Sequence, residues 1–523
     1  MDSDNIILDE NDLIQARRQK LAELRARGID PFKVEVFERR LRVAGEERAF
    51  PGAAGVIEEF EKLESEPSAQ ESDQASGVHT AVAGRVVAMR EMGKAAFAHI
   101  EDESGRIQVY LRIDKLGEEV YSLVRLLDLG DFVGVAGDVF RTRTGEVTVA
   151  AQTLQILSKS LRPAPLGKQK GEEKYSALED PEQRRRQRYL DLMVNREVRS
   201  DFRVRADLIA AIRRLLNDRG FMEVETPTLQ PIPGGAAAKP FITHHNALDV
   251  DLYLRIAPEL YLKRLIVGGF ERVFEICKNF RNEGISFRHN PEFTMLEVYQ
   301  AYADYNGIME LAEQLVAYAA EQSLGTTKIT YQGNEIDLTP PWRRLNLFEA
   351  IREYAGVDFA DTNDEAVARE RAKKAGVDMD GVVGYGKIVD EVLKTLIMPK
   401  LIQPTFLIEY PVELSPLAKR DPDNPRLTHR FQPFLGGLEV GNAFSELNDP
   451  IDQRERFEAQ MAQKAKGDEE AHPFDEDFVR ALEYGMPPTG GLGLGIDRLV
   501  MAFTDKPSIR DVILFPQMKP EGK

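Results

Sequence analysis

The sequence predicts an α+β chain of several domains, with a small five-stranded β-barrel ahead of a long unit of mixed helix and strand. Three observations carry that expectation. At 523 residues the chain exceeds what one hydrophobic core serves. From Val78 to about Leu157, short alternating strands follow one another across turns. Past residue 190 the texture changes to helical and extended signals together, over more than 300 residues.

Composition narrows the class. With 42% hydrophobic and 30% charged residues, the chain reads as globular, and no stretch approaches the roughly 20 apolar residues of a membrane span. The opening "MDSDNIILDENDL" has no basic-then-apolar secretory pattern. The lone Cys277 cannot form an internal disulfide and fits a reducing cytosol. Seven histidines and one cysteine speak against structural zinc. A net charge of −18 concerns solubility and steering; nucleic acid is bound by local basic patches. Two such runs occur. Residues 11–28 predict an amphipathic helix with Leu13, Leu21 and Leu24 in its stripe and Arg17, Arg18, Lys20, Arg25 and Arg27 on its other side. The other is "EQRRRQRY", 182–189. Each reads equally as a solvated helix face.

Residues 51–77, acidic and serine-rich, are expected to be a linker or mobile loop. In the barrel, "ESG" and "RTG" have hairpin chemistry, and a helix is expected near "KLGEEVYSLVRLL". These strands suit a barrel of the oligonucleotide-binding kind. Alternation points Ala98, Ile100, Ile107, Val109 and Leu111 inward, and Phe97, His99, Arg106, Gln108 and Tyr110 outward. An outward aromatic beside amide, imidazole and guanidinium groups suits stacking on single-stranded bases, though a decorated barrel surface has the same pattern. A proline- and lysine-bearing linker follows. A helix is then expected over "NREVRSDFRVRADLIAAIRRLLNDRG", stopped by Gly220, with "FMEVETPTL" extended up to a break at Pro227.

The densest chemistry lies in "FRNEGISFRHNPEFTMLEVYQAY", 280–302. Before it, Phe274, Ile276 and Phe280 alternate with Glu275, Asn279, Arg281 and Glu283; after the loop, Phe293, Met295, Glu297 and Tyr299 alternate with Leu296 and Val298. A hairpin with its functional side chains on one face is expected. Arginine forks suit phosphate, Phe293 a base, and Glu283 an exocyclic amine. A salt-bridged surface hairpin is the alternative. Three further segments share this chemistry. In "GGLEVGNAFSELND", Glu439 and Glu446 bracket an extended run, and paired carboxylates near phosphates suit Mg²⁺. In "GGLGLGIDRLVMAF", four glycines permit close backbone approach before a helix bearing Asp497 and Arg498. In "LRIAPELYLKRLI", Glu259 opens an apolar helix, where a dipole-favoured carboxylate is an ordinary structural feature. No dinucleotide fingerprint or GxxxxGK[ST] loop is present.

Together "GFMEVETPTL", "FRNEGISFRHNPEF" and "GLGLGIDR" resemble the three signature motifs of class II aminoacyl-tRNA synthetases. The barrel-first order is similar to the subgroup charging lysine, aspartate and asparagine. "RQRYLDL", "PGGAAAKPF", "RIAPELYLKRL", "HNPEFTMLEVYQAYADY" and "NAFSELNDP" resemble the lysine enzymes. The class I signatures HIGH and KMSKS are absent.

The resemblance implies a catalytic domain built on an antiparallel sheet flanked by helices. It divides the chain into an N-terminal helix with variable acidic linker (1–77), an anticodon-binding barrel (78–160), a linker (161–190) and the catalytic domain (191–523). Within the last, the motifs fall around 220–229, 273–302 and 490–503, with an insertion over roughly 340–400.

It also implies roles. Arg281 and Arg498 are the catalytic pair, on the α- and γ-phosphates; Glu283, His289, Asn290, Phe293 and Glu439 join them around ATP. Glu439 and Glu446 would hold Mg²⁺. Gly235, Glu259, Glu297, Tyr299, Asn442, Phe444 and Glu446 would form the lysine pocket, and Phe97 and Gln108 would contact the anticodon. The implied partners are tRNA(Lys), ATP, L-lysine and a second copy of the chain, in the cytoplasm, with no membrane or DNA partner. Lysine suits the acids at 259 and 297, because a neutral residue would leave them unpaired and aspartate would be repelled. Another class II specificity, a protein-lysylating paralogue and a pure nucleic-acid-binding module are the rival readings.

Overall fold

A computed structural model describes residues 10–65, 77–166, 168–170, 173–175, 178–465 and 473–521. The chain divides into two compact units, Met1–Asp180 with Tyr189–Val194, and Pro181–Arg188 with Asn195–Lys523.

In the first unit the elements run α1 (Glu10–Ala26), β1 (Arg40–Val43), β2 (Glu46–Arg48), α2 (Ala53–Ser65), β3 (Val78–Met92), β4 (Ala95–Glu101), β5 (Arg106–Arg112), α3 (Ile113–Ser122), β6 (Phe132–Arg141) and β7 (Val147–Ser158). Strands β3, β4, β5, β7 and β6 form the expected barrel, closed by the β3–β6 pairing, with β5 and β7 parallel. The five residues expected inward on β4 and β5 are buried in its core. Gly145 turns the β6–β7 hairpin at φ +91°, conformational space that glycine enters without a steric cost.

Two expectations for residues 1–77 are corrected. Strands β1 and β2 extend the barrel sheet at β3. Residues 53–65 are helix, not linker: Ala53, Val56 and Phe60 are buried at helical spacing, and the acidic residues around them face outward. The helix start is anchored by the β4–β5 turn, where Asp102 accepts from the Ala53 N–H (2.9 Å) and Ser104 from the Ala54 N–H (3.1 Å). Residues 66–76 of that expected linker lie outside the described residues. The expected linker 161–190 also carries order, with β8 (Lys168–Lys170) pairing β9 (Glu173–Tyr175), then α4 (Pro181–Arg186) and α5 (Arg188–Val194).

The second unit continues with α6 (Arg196–Asp218), β10 (Met222–Glu223), β11 (Leu229–Gln230), β12 (Ile242–His245), β13 (Val250–Leu254), α7 (Glu259–Val267), β14 (Arg272–Phe280), β15 (Glu292–Ala301), α8 (Tyr305–Leu324), β16 (Lys328–Tyr331), β17 (Asn334–Asp337) and β18 (Arg343–Asn346). After α9 (Leu347–Ala355), α10 (Glu365–Lys374) and α11 (Tyr385–Val392) come β19 (Thr405–Pro411), β20 (Leu427–Leu435), β21 (Leu438–Glu439), β22 (Gly441–Ser445), α12 (Pro450–Ala465), α13 (Glu476–Glu483), β23 (Thr489–Gly495) and α14 (Ile496–Phe503). The main sheet runs β10-β14-β15-β23-β22-β20-β19-β18 and is antiparallel except at its two edge pairs. Edge strand β18 belongs to this sheet, so the expected insertion begins after Asn346, where three helices close a separate apolar cluster over β19 and β20.

Burial explains the sheet's two faces. Phe274 and Ile276 of β14 lie opposite Val298 and Leu296 of β15, and this face packs on α6, α8 and α14. The reverse face carries Glu275, Cys277 and Asn279 opposite Glu297, Met295 and Phe293. The period-2 pattern thus places the polar side chains together, as expected. No helix among the described residues is long and apolar enough to cross a membrane.

Candidate active site

The polar face of the sheet opens into a cavity of about 890 Å³, within the range of small-ligand sites. Every site residue expected in the second unit lines it: Gly235, Glu259, Arg281, Glu283, His289, Asn290, Phe293, Glu297, Tyr299, Glu439, Asn442, Phe444, Glu446 and Arg498. Among the described residues, Arg281 Nε, Arg288 Nε, Asn290 Oδ1 and Glu446 Oε1 are buried without a hydrogen-bond partner. Buried polar atoms are rarely left so, and four on one cavity mark a site shaped for a polar ligand.

The cationic cluster grows from the β14–β15 hairpin. The Arg281 N–H donates to the Pro291 carbonyl (2.9 Å), which carries the pairing one step past β14. The turn at 286–289 is closed by Ser286, whose hydroxyl accepts from the Arg288 and His289 N–H groups and meets His289 Nδ1 at 2.9 Å. The Arg281 guanidinium lies 5.0 Å over the Phe293 ring. Arg498 donates to the Glu439 carbonyl (2.6 Å), with the Glu439 carboxylate 4.0 Å away. Asp497 anchors α14 beneath, paired with Arg205 (2.5 Å) and accepting from the Thr294 N–H (2.6 Å). Burial, then Arg498, lowers the Arg288 guanidinium, and the same causes with Arg281 lower His289. Burial lowers Arg281, against the pull of Glu283. Cations crowded until they resist their own charge suit a polyanion.

The acidic cluster joins α7 to the sheet. Glu259, Glu297 and Glu446 are all buried. Two have cations within the chain: Lys263 Nζ lies 2.7 Å from Glu259 and also pairs with Glu446. Neighbouring Glu275 pairs with Arg255 (2.6 Å). Glu297 forms no ion pair among the described residues and takes a hydrogen bond from the Tyr299 hydroxyl (2.9 Å). Burial, with Glu259 adding repulsion, pushes its carboxyl up to about 8. Burial also raises Tyr299 well above its ordinary value.

The glycine run of β23 serves this cluster. A Cβ at Gly491 would stand 2.0 Å from Glu446 Oε1 and 2.7 Å from Tyr299, and one at Gly490 would meet Ile308 at 2.4 Å. Space, rather than unusual backbone, requires glycine there. At Gly235 both apply: φ is +87°, and a Cβ would lie 2.9 Å from that of Glu259.

Glu439 and Glu446 both line the cavity, where Glu446 closes on Lys263 and Glu439 stands beside Arg498. Asn442 is held by Arg430, whose Nε donates to its Oδ1 (2.8 Å). Lys263 is a site neighbour outside the residues expected from sequence, and its one signal there is the i,i+4 spacing from Glu259 inside an apolar helix.

On the barrel, Phe97 is stacked on Tyr110 across the strands (centroids 4.3 Å apart). Gln108, expected outward, is buried: its amide donates to Glu146 (2.5 Å) and accepts from Thr148 (2.8 Å), and Glu146 also meets His99 (2.6 Å). The basic runs are mostly structural. Arg17 is buried and donates to the Ser160 and Arg162 carbonyls (2.9 Å each); Lys20 pairs with Asp128. In the second unit Arg185 pairs with Asp511, and buried Arg188 donates to the Arg510 and Leu514 carbonyls.

Residues 180–519 match the model of the class II tRNA synthetases (D, K and N), and 80–157 that of the OB-fold nucleic acid binding domain. The chain is 55% identical to a lysine–tRNA ligase of Moorella thermoacetica, over 98% of this chain and 99% of the relative. It belongs to the lysine–tRNA ligase family. The corresponding ligase of Bacillus subtilis is 52% identical over 97% of both chains, and that of Pelotomaculum thermopropionicum 55% identical over 98% and 96%. Family membership covers both units, so the barrel and the cavity belong to one enzyme architecture.

Proposed function

We propose that the chain attaches L-lysine to tRNA(Lys) through a lysyl-adenylate, with ATP yielding AMP and pyrophosphate, and that the cavity above is where lysine is selected and activated. Glu297 carries the selection. It is a buried acid with no ion pair among the described residues, and a substrate ammonium supplies one. A neutral amino acid leaves that acid unpaired, and an acidic one is repelled. Glu259, Glu446 and Tyr299 complete the acidic cluster, with Asn442 and Phe444 beside it and Gly235 keeping the wall thin.

Activation needs alignment and charge neutralisation more than an acid or base. An oxygen of the lysine carboxylate attacks the α-phosphorus in line, and pyrophosphate leaves. Arg281 holds the α-phosphate, His289, Asn290 and Arg498 the outer phosphates, Phe293 offers its ring to adenine, and Glu283 accepts from the adenine amine. The family's reaction uses ATP and typically a divalent metal. No group of three or more His, Cys, Asp or Glu among the described residues could hold one. Mg²⁺ bound with a triphosphate takes as few as one or two carboxylates. Glu439, beside Arg498, and Glu446 on the same cavity are the residues that would hold it, and the ion would supply positive charge to the phosphates.

The barrel is the anticodon reader in this scheme, with Phe97 the stacking ring and Gln108 oriented by Glu146 and Thr148. Exposed Met222, Leu229, Ile232 and Ile242 support pairing of two copies through the 220–229 region. Translation chemistry and one buried thiol support a cytoplasmic location. The deciding experiment is lysylation of tRNA(Lys) together with ATP–pyrophosphate exchange. Exchange with lysine but not aspartate or asparagine is expected, and the reverse would overturn the specificity. Sedimentation of the purified chain tests the dimer, for which a monomer at micromolar concentration is the contrary result.

A further inference from the structure

Lys263 does not line the cavity, yet two of the cavity's glutamates close on it. Its side chain is 0% exposed, walled by the rings of Phe444 (5.7 Å) and Phe478 (6.0 Å). It stands four residues after Glu259 on α7 and reaches Glu446, one residue past β22, so it ties helix to sheet where the acidic cluster forms. Glu446 has little freedom to swing elsewhere, because the space beside its Oε1 is bounded by Gly491 and Tyr299.

We infer that Lys263 is a positioning residue for amino-acid selection: from behind the wall it fixes Glu259 and Glu446 facing the cavity and sets the charge that the substrate must match. The inference rests on the reading that the acidic cluster receives lysine. Once bound lysine has displaced the Glu297 proton, three carboxylates against one internal ammonium leave two negative charges. Lysine carries two ammonium groups, and its carboxylate belongs with the arginines of the cationic cluster. A purely structural rivet would not need this chemistry, since buried ion pairs replaced by apolar side chains of similar size often cost nothing in stability. A methionine at 263 could fill the space, but it could not hold two carboxylates in place.

The test compares Lys263→Met and Lys263→Arg with the wild-type chain in ATP–pyrophosphate exchange. Lys263→Met is expected to raise KM for lysine by roughly 30-fold or more, the scale of a truncated buried charge pair. KM for ATP should stay within about threefold, and Lys263→Arg should recover most of the loss. A lysine KM within about threefold of wild type in Lys263→Met, or an equal rise for both substrates, would overturn the role. If Lys263→Met does not fold, Lys263→Gln, which removes the charge and keeps a donor, is read against the same two outcomes. Glu297→Gln is run in parallel. An unchanged lysine KM in Glu297→Gln refutes the site reading itself; a raised one there with no change at 263 refutes only the role of Lys263.

Discussion

Lysine affinity should depend on pH through Glu297. Its carboxyl titrates at about 8, raised first by burial and then by Glu259. Pairing with an ammonium requires the carboxylate, so below pH 8 lysine binding must displace a proton. The apparent affinity is reduced by the ionised fraction, about 11-fold at pH 7 and about 100-fold at pH 6, with each unit worth ~1.4 kcal/mol. The KM for lysine in exchange should therefore fall nearly tenfold per unit from pH 6 to about 7.5 and level off above 8, with roughly one proton released per lysine bound at pH 7. Glu297→Gln removes both effects. At pH 8 it should raise KM by about 100-fold or more, as loss of a buried ionic partner does, and at pH 6 the gap to wild type should narrow sharply. A wild-type KM flat from pH 6 to 8, with no proton release, would refute this reasoning.

Other expectations follow from the same geometry. The Glu297 carboxyl is raised above its ordinary 4.5, so from about pH 4.5 to 8 the native state holds a proton that the unfolded chain has lost. Without lysine, stability should decline as pH rises through that window, by roughly 3–5 kcal/mol in total from this group, and Glu297→Gln should abolish the decline in denaturant titrations. Gly491→Ala places a methyl 2.0 Å from Glu446 Oε1, so exchange at ordinary lysine concentrations should be lost, with about 1–3 kcal/mol of destabilisation by thermal melting. Arg281→Ala should abolish exchange while tRNA binding by filter assay survives. Arg17→Ala strips donors from the Ser160 and Arg162 carbonyls, so it should destabilise the chain by about 1–3 kcal/mol and leave tRNA affinity nearly unchanged.

Much of the site was legible because strand alternation is a strict rule. Once β14 and β15 are extended, Glu275 and Asn279 share one side of their strand and Phe293 and Glu297 one side of theirs, and the register brings the two sides together. The glycines of β23 were legible as close approach, although what they make room for was not. Other features depend on partners far along the chain. The 53–65 helix has an ordinary i,i+4 signal in Val56 and Phe60, masked by acidic and serine-rich neighbours, and its cap comes from residues 102–104. The arginines at 17, 185 and 188 look like nucleic-acid contacts in sequence, because their carbonyl and carboxylate partners lie 143 or more residues away. In sequence Glu446 groups with Glu439, because both are acids on one extended run. Its ion-pair partner, Lys263, sits on a helix almost two hundred residues earlier, where a charge in an apolar stripe passes as a surface residue.

The most direct measurement sets lysine against norleucine, which has the same carbon chain without the terminal ammonium, in ATP–pyrophosphate exchange at pH 8. If a buried, otherwise unpaired acid selects the substrate, kcat/KM should favour lysine by about 10⁴ or more, and Glu297→Gln should shrink that preference by at least two orders of magnitude. Comparable exchange with norleucine in the wild-type chain, or an undiminished preference in Glu297→Gln, would contradict the account.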